Sequence, residues 1–231
     1  MITPKILDFI HENYHLKRIE NFIRKNFNLN INIIFDVGCY KGSFIEICLK
    51  IYKSDFKIYA FEAEKKIFDR INNFKDNKNV NLYNCGISDQ DNYLDFNVSY
   101  QEGTSTFSKL NNSSKYLNFK SKILGQKIFS EKQKIQVKKI DSFCKINKIE
   151  KIDFLKIDTE GHELSVLLGA KEMLKNIKVI LLEVSEHDMY ENYDNKKIES
   201  LMINNNFRLS KSFRTPFQKW EDRIYVNKKY Y

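Results

Sequence analysis

Between positions 156 and 163 the chain reads Lys-Ile-Asp-Thr-Glu-Gly-His-Glu, a dense run of groups that hold charge or move protons. An apolar stretch precedes it, so Lys156 and Asp158 sit two apart on a strand and share a face. An ammonium beside Asp158 favours the ionised carboxylate. His162 has the one unperturbed pKa in the run near neutrality, which makes it the first choice for a general base. Asp158 and Glu160 would then orient it or an acceptor; the alternative is a surface histidine in a first helical turn. Glu163 reads as a helix N-terminal acid facing the dipole.

A second run, Asp36-Val37-Gly38-Cys39-Tyr40-Lys41-Gly42, puts an acid and two glycines where an apolar segment turns into a helix. A dinucleotide fingerprint would read G-x-G-x-x-G, since a pyrophosphate needs close backbone approach. Here an acid leads, which suits a ligand carrying a cationic amino-acid group, such as S-adenosylmethionine with its ammonium and sulfonium. The next apolar segment ends in Glu62-Ala63, and a carboxylate there can accept both hydroxyls of a ribose. Gly86 and Ile87, just past a third segment, are placed to face an adenine through their backbone. The candidate cofactor residues are thus Asp36, Gly38, Cys39, Tyr40, Gly42, Glu62, Ala63, Gly86, Ile87 and Asp158; the alternative is that Asp36 and Glu62 only cap turns. Asp158 with Glu183 could hold Mg²⁺, but no compact carboxylate triad is visible in the sequence, so a metal is not the favoured reading. Thr104 and Ser105 are either site residues or turn formers. Glu186, His187, Arg214, Phe217 and Trp220 are either acceptor contacts or ordinary loop and anchoring residues.

These groups need strands to carry them. Residues 31–38, 57–63 and 79–85 are short β-branched apolar runs, with helices expected at 43–51 and near 64–74, which makes β-α-β-α-β and a parallel sheet. Upstream, 5–27 has helical apolar spacing. Downstream, 92–100 and 134–140 read as strands, 102–107 as a loop and 109–130 as a polar, lysine-rich insertion over one face. Strands at 151–158 and 179–184, helices at 161–175 and 195–205, and an antiparallel pair at 207–213 and 223–229 complete the chain. The expected organisation is a helical addition over 1–30 and one α/β domain over 31–231, interrupted by an irregular insertion at about 92–140.

DVGCYKG, FEAEKKIFDRI, CGISD, GTSTF, VKKIDSF, FLKIDTEGHELSVLLGA and VILLEV occur in that order from about Ile31 to Val226. Together they resemble the FkbM family of S-adenosylmethionine-dependent methyltransferases. The resemblance implies a Rossmann-like class I methyltransferase fold: a mostly parallel seven-stranded sheet, helices on both faces and a closing antiparallel pair. It also implies O-methylation of a hydroxyl on a sugar or another natural product. One departure stands in the first turn, which in the family commonly reads D-V-G-A-N-x-G; here Cys39 and Tyr40 replace Ala and Asn.

Composition bounds the partners. The 231 residues carry a net charge of +9, with 42% hydrophobic residues and 18 Phe, enough for a large core and too apolar for a disordered chain. The cations are mostly Lys, with Arg only at 18, 24, 70, 208, 214 and 223, and Arg is the residue of bidentate phosphate recognition. A small-molecule acceptor, a sugar, nucleotide-sugar or phosphorylated metabolite, is therefore expected ahead of nucleic acid. An RNA methyltransferase on the same fold is the runner-up, and a basic binding protein the third reading. The start lacks a signal-peptide pattern and no run approaches the roughly 20 apolar residues of a bilayer span. Cys39, Cys48, Cys85 and Cys144 are too scattered for a zinc or disulfide framework, which suits a reducing cytoplasm.

Overall fold

The computed structural model describes residues 14–27, 30–53, 55–125, 127–191, 193–214 and 219–231. Of the N-terminal helical stretch at 5–27, residues 5–13 lie outside the described residues. The rest forms α1 (Leu16–Asn26), which buries Ile19 and Ile23 and turns its charges outward.

Seven strands make one sheet in the order β3-β2-β1-β7-β8-β10-β9. β1 (Ile33–Val37) sits in the middle because both its faces are apolar; it pairs in parallel with β2 (Lys57–Phe61) and β7 (Ile152–Ile157). β3 (Val80–Tyr83) extends one edge, and β8 (Ile177–Ser185) continues from β7 in parallel. β10 (Trp220–Asn227) then runs antiparallel between β8 and β9 (Phe207–Arg214). This is the closing pair expected from the sequence, with β10 starting three residues earlier than expected.

Side-chain alternation divides the core into two layers. Phe154, Val179 and Leu181 face α1 and α2 (Ser43–Ile51). Leu155, Ile180 and Leu182 face α5 (Ile140–Ile146), α6 (Glu163–Leu168) and α7 (Asn195–Asn204). Helices thus cover both faces, and α3 (Lys65–Phe68), continued as a 3₁₀ turn to Phe74, follows β2.

Two stretches differ from the sequence expectation. Of the single helix expected at 161–175 only α6 forms, and just past its end Gly169 packs so closely on the Ser88 carbonyl that a Cβ would overlap it. The chain turns there before a short 3₁₀ segment, Leu174–Asn176. The insertion is also more regular than expected. β5 (Asn92–Ser99) pairs antiparallel with β6 (Phe129–Lys138), which pairs with β4 (Gly86–Ile87) in a second sheet, and α4 (Lys115–Leu124) lies between β5 and β6 in sequence.

Candidate active site

The chain leaves β1 for β2 on one side and reaches β7 on the other, so a crevice opens beyond the carboxyl ends of these strands. A cleft fills that place, and Gly38, Tyr40, Glu62, Ala63, Gly86, Ile87 and Asp158 all line it. The turn after β1 explains its own glycine: Gly38 has φ +76°, and a Cβ there would overlap the Asp158 carbonyl oxygen. Tyr40 is left-handed as well, at φ +48°, a conformation that Asn tolerates better than Tyr. Its N–H donates to Glu62 Oε2 at 3.0 Å, while Glu62 Oε1 accepts from the Glu64 N–H at 2.8 Å. Each oxygen keeps a further lone pair for a ligand hydroxyl. Burial pushes the Glu62 carboxyl up to about 7, against the pull of those two N–H groups.

Asp36, Cys39 and Gly42 do not line the cleft. Gly42 caps α2 at φ +84°, where a Cβ would overlap the Phe74 ring. Cys39 is buried, and burial raises its thiol well above the ordinary range. Asp36 is fully buried behind Lys156, whose Nζ stands 3.4 Å from Asp36 Oδ1 and 3.1 Å from Asp158 Oδ2. The same Nζ donates to the Gly38 carbonyl at 2.9 Å. Asp36 therefore reaches the cleft through Lys156, which ties the tips of β1 and β7 together.

The turn after β7 brings the acids together. Glu160 has φ +54° and Gly161 φ +92°, and a Cβ on Gly161 would overlap the Tyr190 ring. Three groups hold this strained turn. Thr106 Oγ1 donates to the Glu160 carbonyl at 2.7 Å, Tyr190 Oη donates to Glu160 Oε2 at 3.0 Å, and Glu163 Oε1 accepts from the N–H groups of Thr159 and Gly161 at 3.0 Å each. A backbone held this way against its preference is characteristic of sites that must place one side chain. The outcome corrects the reading that no compact triad exists: Asp158, Glu160 and Glu183 each bring one oxygen within 4.8 Å of the others. Such a trio could hold a proton or a divalent cation. Burial, then the nearby Asp158, pushes Glu160 up to about 8, and the same two causes raise Glu183 well above the carboxylate range.

His162 is placed apart from these acids. Two successive left-handed residues turn the chain over, so Glu160 faces the cleft and His162 faces away. Its Nε2 lies 2.9 Å from Ser88 Oγ, its ring packs 5.4 Å from Phe107, and burial lowers it to about 4. It is not on the cleft wall.

A family model described as the methyltransferase FkbM domain matches residues 36–209. The chain belongs to that family. NoeI, a 2-O-methyltransferase of Sinorhizobium fredii, is 25% identical over 160 residues, 69% of this chain and 65% of its own length. Among solved structures, an FkbM methyltransferase from Methylobacillus flagellatus superposes with TM-score 0.52 at 16% identity, over 85% of this chain and 43% of that one. The magnesium protoporphyrin IX methyltransferase of Synechocystis, solved with SAH bound, gives TM-score 0.54 at 10% identity, over 98% and 89% of the two chains. At these identities the structures speak for the fold, a class I S-adenosylmethionine-dependent methyltransferase fold. The chain spans under two thirds of the length of both NoeI and the Methylobacillus protein.

Around this FkbM core the remaining candidates divide. Ser105 lines the cleft and donates to Glu64 Oε2 at 2.8 Å, whereas Thr104 bonds Ser99 and Gln101 within its own turn. Glu186 pairs with Arg214, and His187 stacks on Tyr116 at 3.9 Å, both off the cleft wall. Trp220 is on the wall; Phe217 lies outside the described residues. Asp222, which the sequence reading missed, lines the cleft opposite Glu183 in the β8–β10 register. Its signal is the alternation of β10, which begins at Trp220, three residues ahead of the strand expected at 223–229. Of the two holders of Glu160, Thr106 falls in the GTSTF motif with nothing in its spacing to link it to Glu160, and Tyr190 falls in none of the motifs.

Proposed function

We propose that this chain is an S-adenosylmethionine-dependent O-methyltransferase acting on a hydroxyl of a sugar or a similar small polar acceptor. The observation that carries the reading is the convergence of Asp158, Glu160 and Glu183 beside the wall formed by Gly38, Tyr40 and Glu62. The family and the relative named a 2-O-methyltransferase support it.

The donor set fits the cofactor. The spare lone pairs of Glu62 match ribose hydroxyls, the backbone at Gly86 and Ile87 offers an edge for adenine, and acids rather than cations surround the place of a positively charged ligand. When bound, the cofactor supplies a methyl group already activated on a sulfonium. The chain must orient the acceptor hydroxyl and take its proton. Lys156 Nζ stands 3.1 Å from Asp158 Oδ2, and Asp158 in turn raises the proton affinity of Glu160 and Glu183. Glu160, fixed through Tyr190 and Thr106, is the group we assign as base, with the trio titrating as one unit. A base near 8 matches the task at neutral pH.

The test uses labelled S-adenosylmethionine, a panel of methyl glycosides and Glu160→Gln. Wild-type turnover should rise with pH through about 8, as the trio loses its proton. Glu160→Gln should lower turnover by roughly 10²–10⁴ and erase that limb, with calorimetric cofactor affinity unchanged. Wild-type turnover in the variant overturns the assignment.

A further inference from the structure

A fully buried histidine just ahead of α1 reaches the far end of the cleft. His15 Nε2 lies 2.6 Å from Asp222 Oδ2, and its ring meets Trp220 edge-to-face at 5.1 Å and Phe213 at 6.5 Å. Trp220 and Asp222 are two apart on β10, so they share a face, and both line the cleft. Asp222 stands opposite Glu183, the β8 member of the carboxylate trio. The candidate cofactor residues on the wall come from β1, β2, β4 and β7. The β10 face is thus the other end of the cleft, where an acceptor has to approach the trio.

An indole beside paired carboxylates is the chemistry of pyranose recognition. The C–H face of a sugar ring packs on the aromatic surface, and neighbouring hydroxyls donate to carboxylate oxygens. Asp222 turns Oδ2 to His15, and its second oxygen is available to accept. We propose that Trp220, Asp222 and Glu183 form a pyranose subsite for the acceptor, with His15 as the positioning residue that holds Asp222 and Trp220 in place. The proposal rests on the O-methyltransferase reading and names how that site would recognise a ring.

The experiment measures methyl transfer to methyl pyranosides and to the matching open-chain alditols, with cofactor affinity measured separately by calorimetry. Trp220→Ala should raise the pyranoside KM at least tenfold and the alditol KM distinctly less, leave cofactor affinity near wild type, and be largely restored by Trp220→Phe. His15→Asn should raise the same KM without changing cofactor affinity; should that variant not fold, the Trp220 pair decides. Pyranoside transfer with unchanged KM in Trp220→Ala overturns the subsite alone. Equal losses on pyranosides and alditols also overturn it. A wild-type chain that binds cofactor but methylates no pyranoside overturns both the subsite and the reading it rests on.

Discussion

Replacing Lys156 with Met removes a charge and keeps most of the side chain's volume. In the native chain the Lys156 side chain is 13% exposed and lies between Asp36, fully buried, and Asp158, 37% exposed. Asp158 can turn to solvent when the ammonium is lost. Asp36 has no such recourse, and breaking a buried pair by removing one partner costs about 3–5 kcal/mol when the remaining group stays charged. For a chain of this length that is a fall in Tm of roughly 6–20 °C. The pH dependence carries the sharper test. Burial already raises the Asp36 pKa against the pull of Lys156, and without Lys156 it must rise further. A carboxyl whose folded pKa exceeds its unfolded one favours folding at low pH and loses that contribution as pH climbs through the folded pKa. The deficit of Lys156→Met should therefore be small near pH 4 and largest near pH 8. Adding Asp36→Asn should recover part of it, with a coupling of about 1–3 kcal/mol. Thermal melts of the four proteins at the two pH values measure this cycle. A Lys156→Met chain melting at the wild-type temperature at pH 8, or a double variant no better than the single one there, refutes the pairing.

Other outcomes follow from the same geometry. His162→Asn should lose about 1–3 kcal/mol of stability through the buried Ser88 hydroxyl, read as a lower Tm, while turnover stays within a few-fold; a hundredfold loss of turnover would restore His162 as the base. Tyr40→Asn should raise Tm by a few degrees, because Asn relieves about 1 kcal/mol of left-handed strain; a lower Tm would mean that the ring's packing over Gly103 outweighs the strain. Glu62 accepts ligand hydroxyls best when ionised, so with its pKa near 7 cofactor affinity should climb between pH 6 and 8. Calorimetry on Glu62→Gln should give a weaker and nearly flat profile, and a flat wild-type profile would remove Glu62 from that role.

The central strands were readable because a strand buried on both faces is mostly apolar, as IIFDV and IDFLKI are apart from Asp36, Asp153 and Lys156. Their tips were readable for the same reason: Glu62 and Asp158 stand where the apolar run stops. The direction of His162 was not. Gly161 signals a turn, but a left-handed Glu160 before it is imposed by Thr106 and Tyr190, which are distant in sequence. Without that residue the spacing points His162 toward the site. The trio was hidden likewise. Asp158 and Glu183 meet only because β7 and β8 are neighbours, and Glu160 joins them only through the same strained turn. His15 and Asp222 are 207 positions apart, and an amphipathic helix pattern says nothing of what the residue before the helix touches.

The net charge of +9 first points toward phosphate-bearing partners, yet seven acids line the cleft, Glu62, Glu64, Glu102, Asp158, Glu160, Glu183 and Asp222. Two like charges about 5 Å apart repel by roughly 3 kcal/mol at an effective dielectric of 20. A phosphoryl group would meet that penalty at any of these acids that is ionised, whereas hydroxyls can donate to or accept from the same groups in either protonation state. Lys156, the cation among them, already serves Asp36 and Asp158. The lysines that make the total positive lie largely on the outer surface, so they bear on solubility and long-range encounter. Under the proposed O-methyltransferase reading, this contact chemistry suits an uncharged, hydroxyl-rich part of the acceptor best.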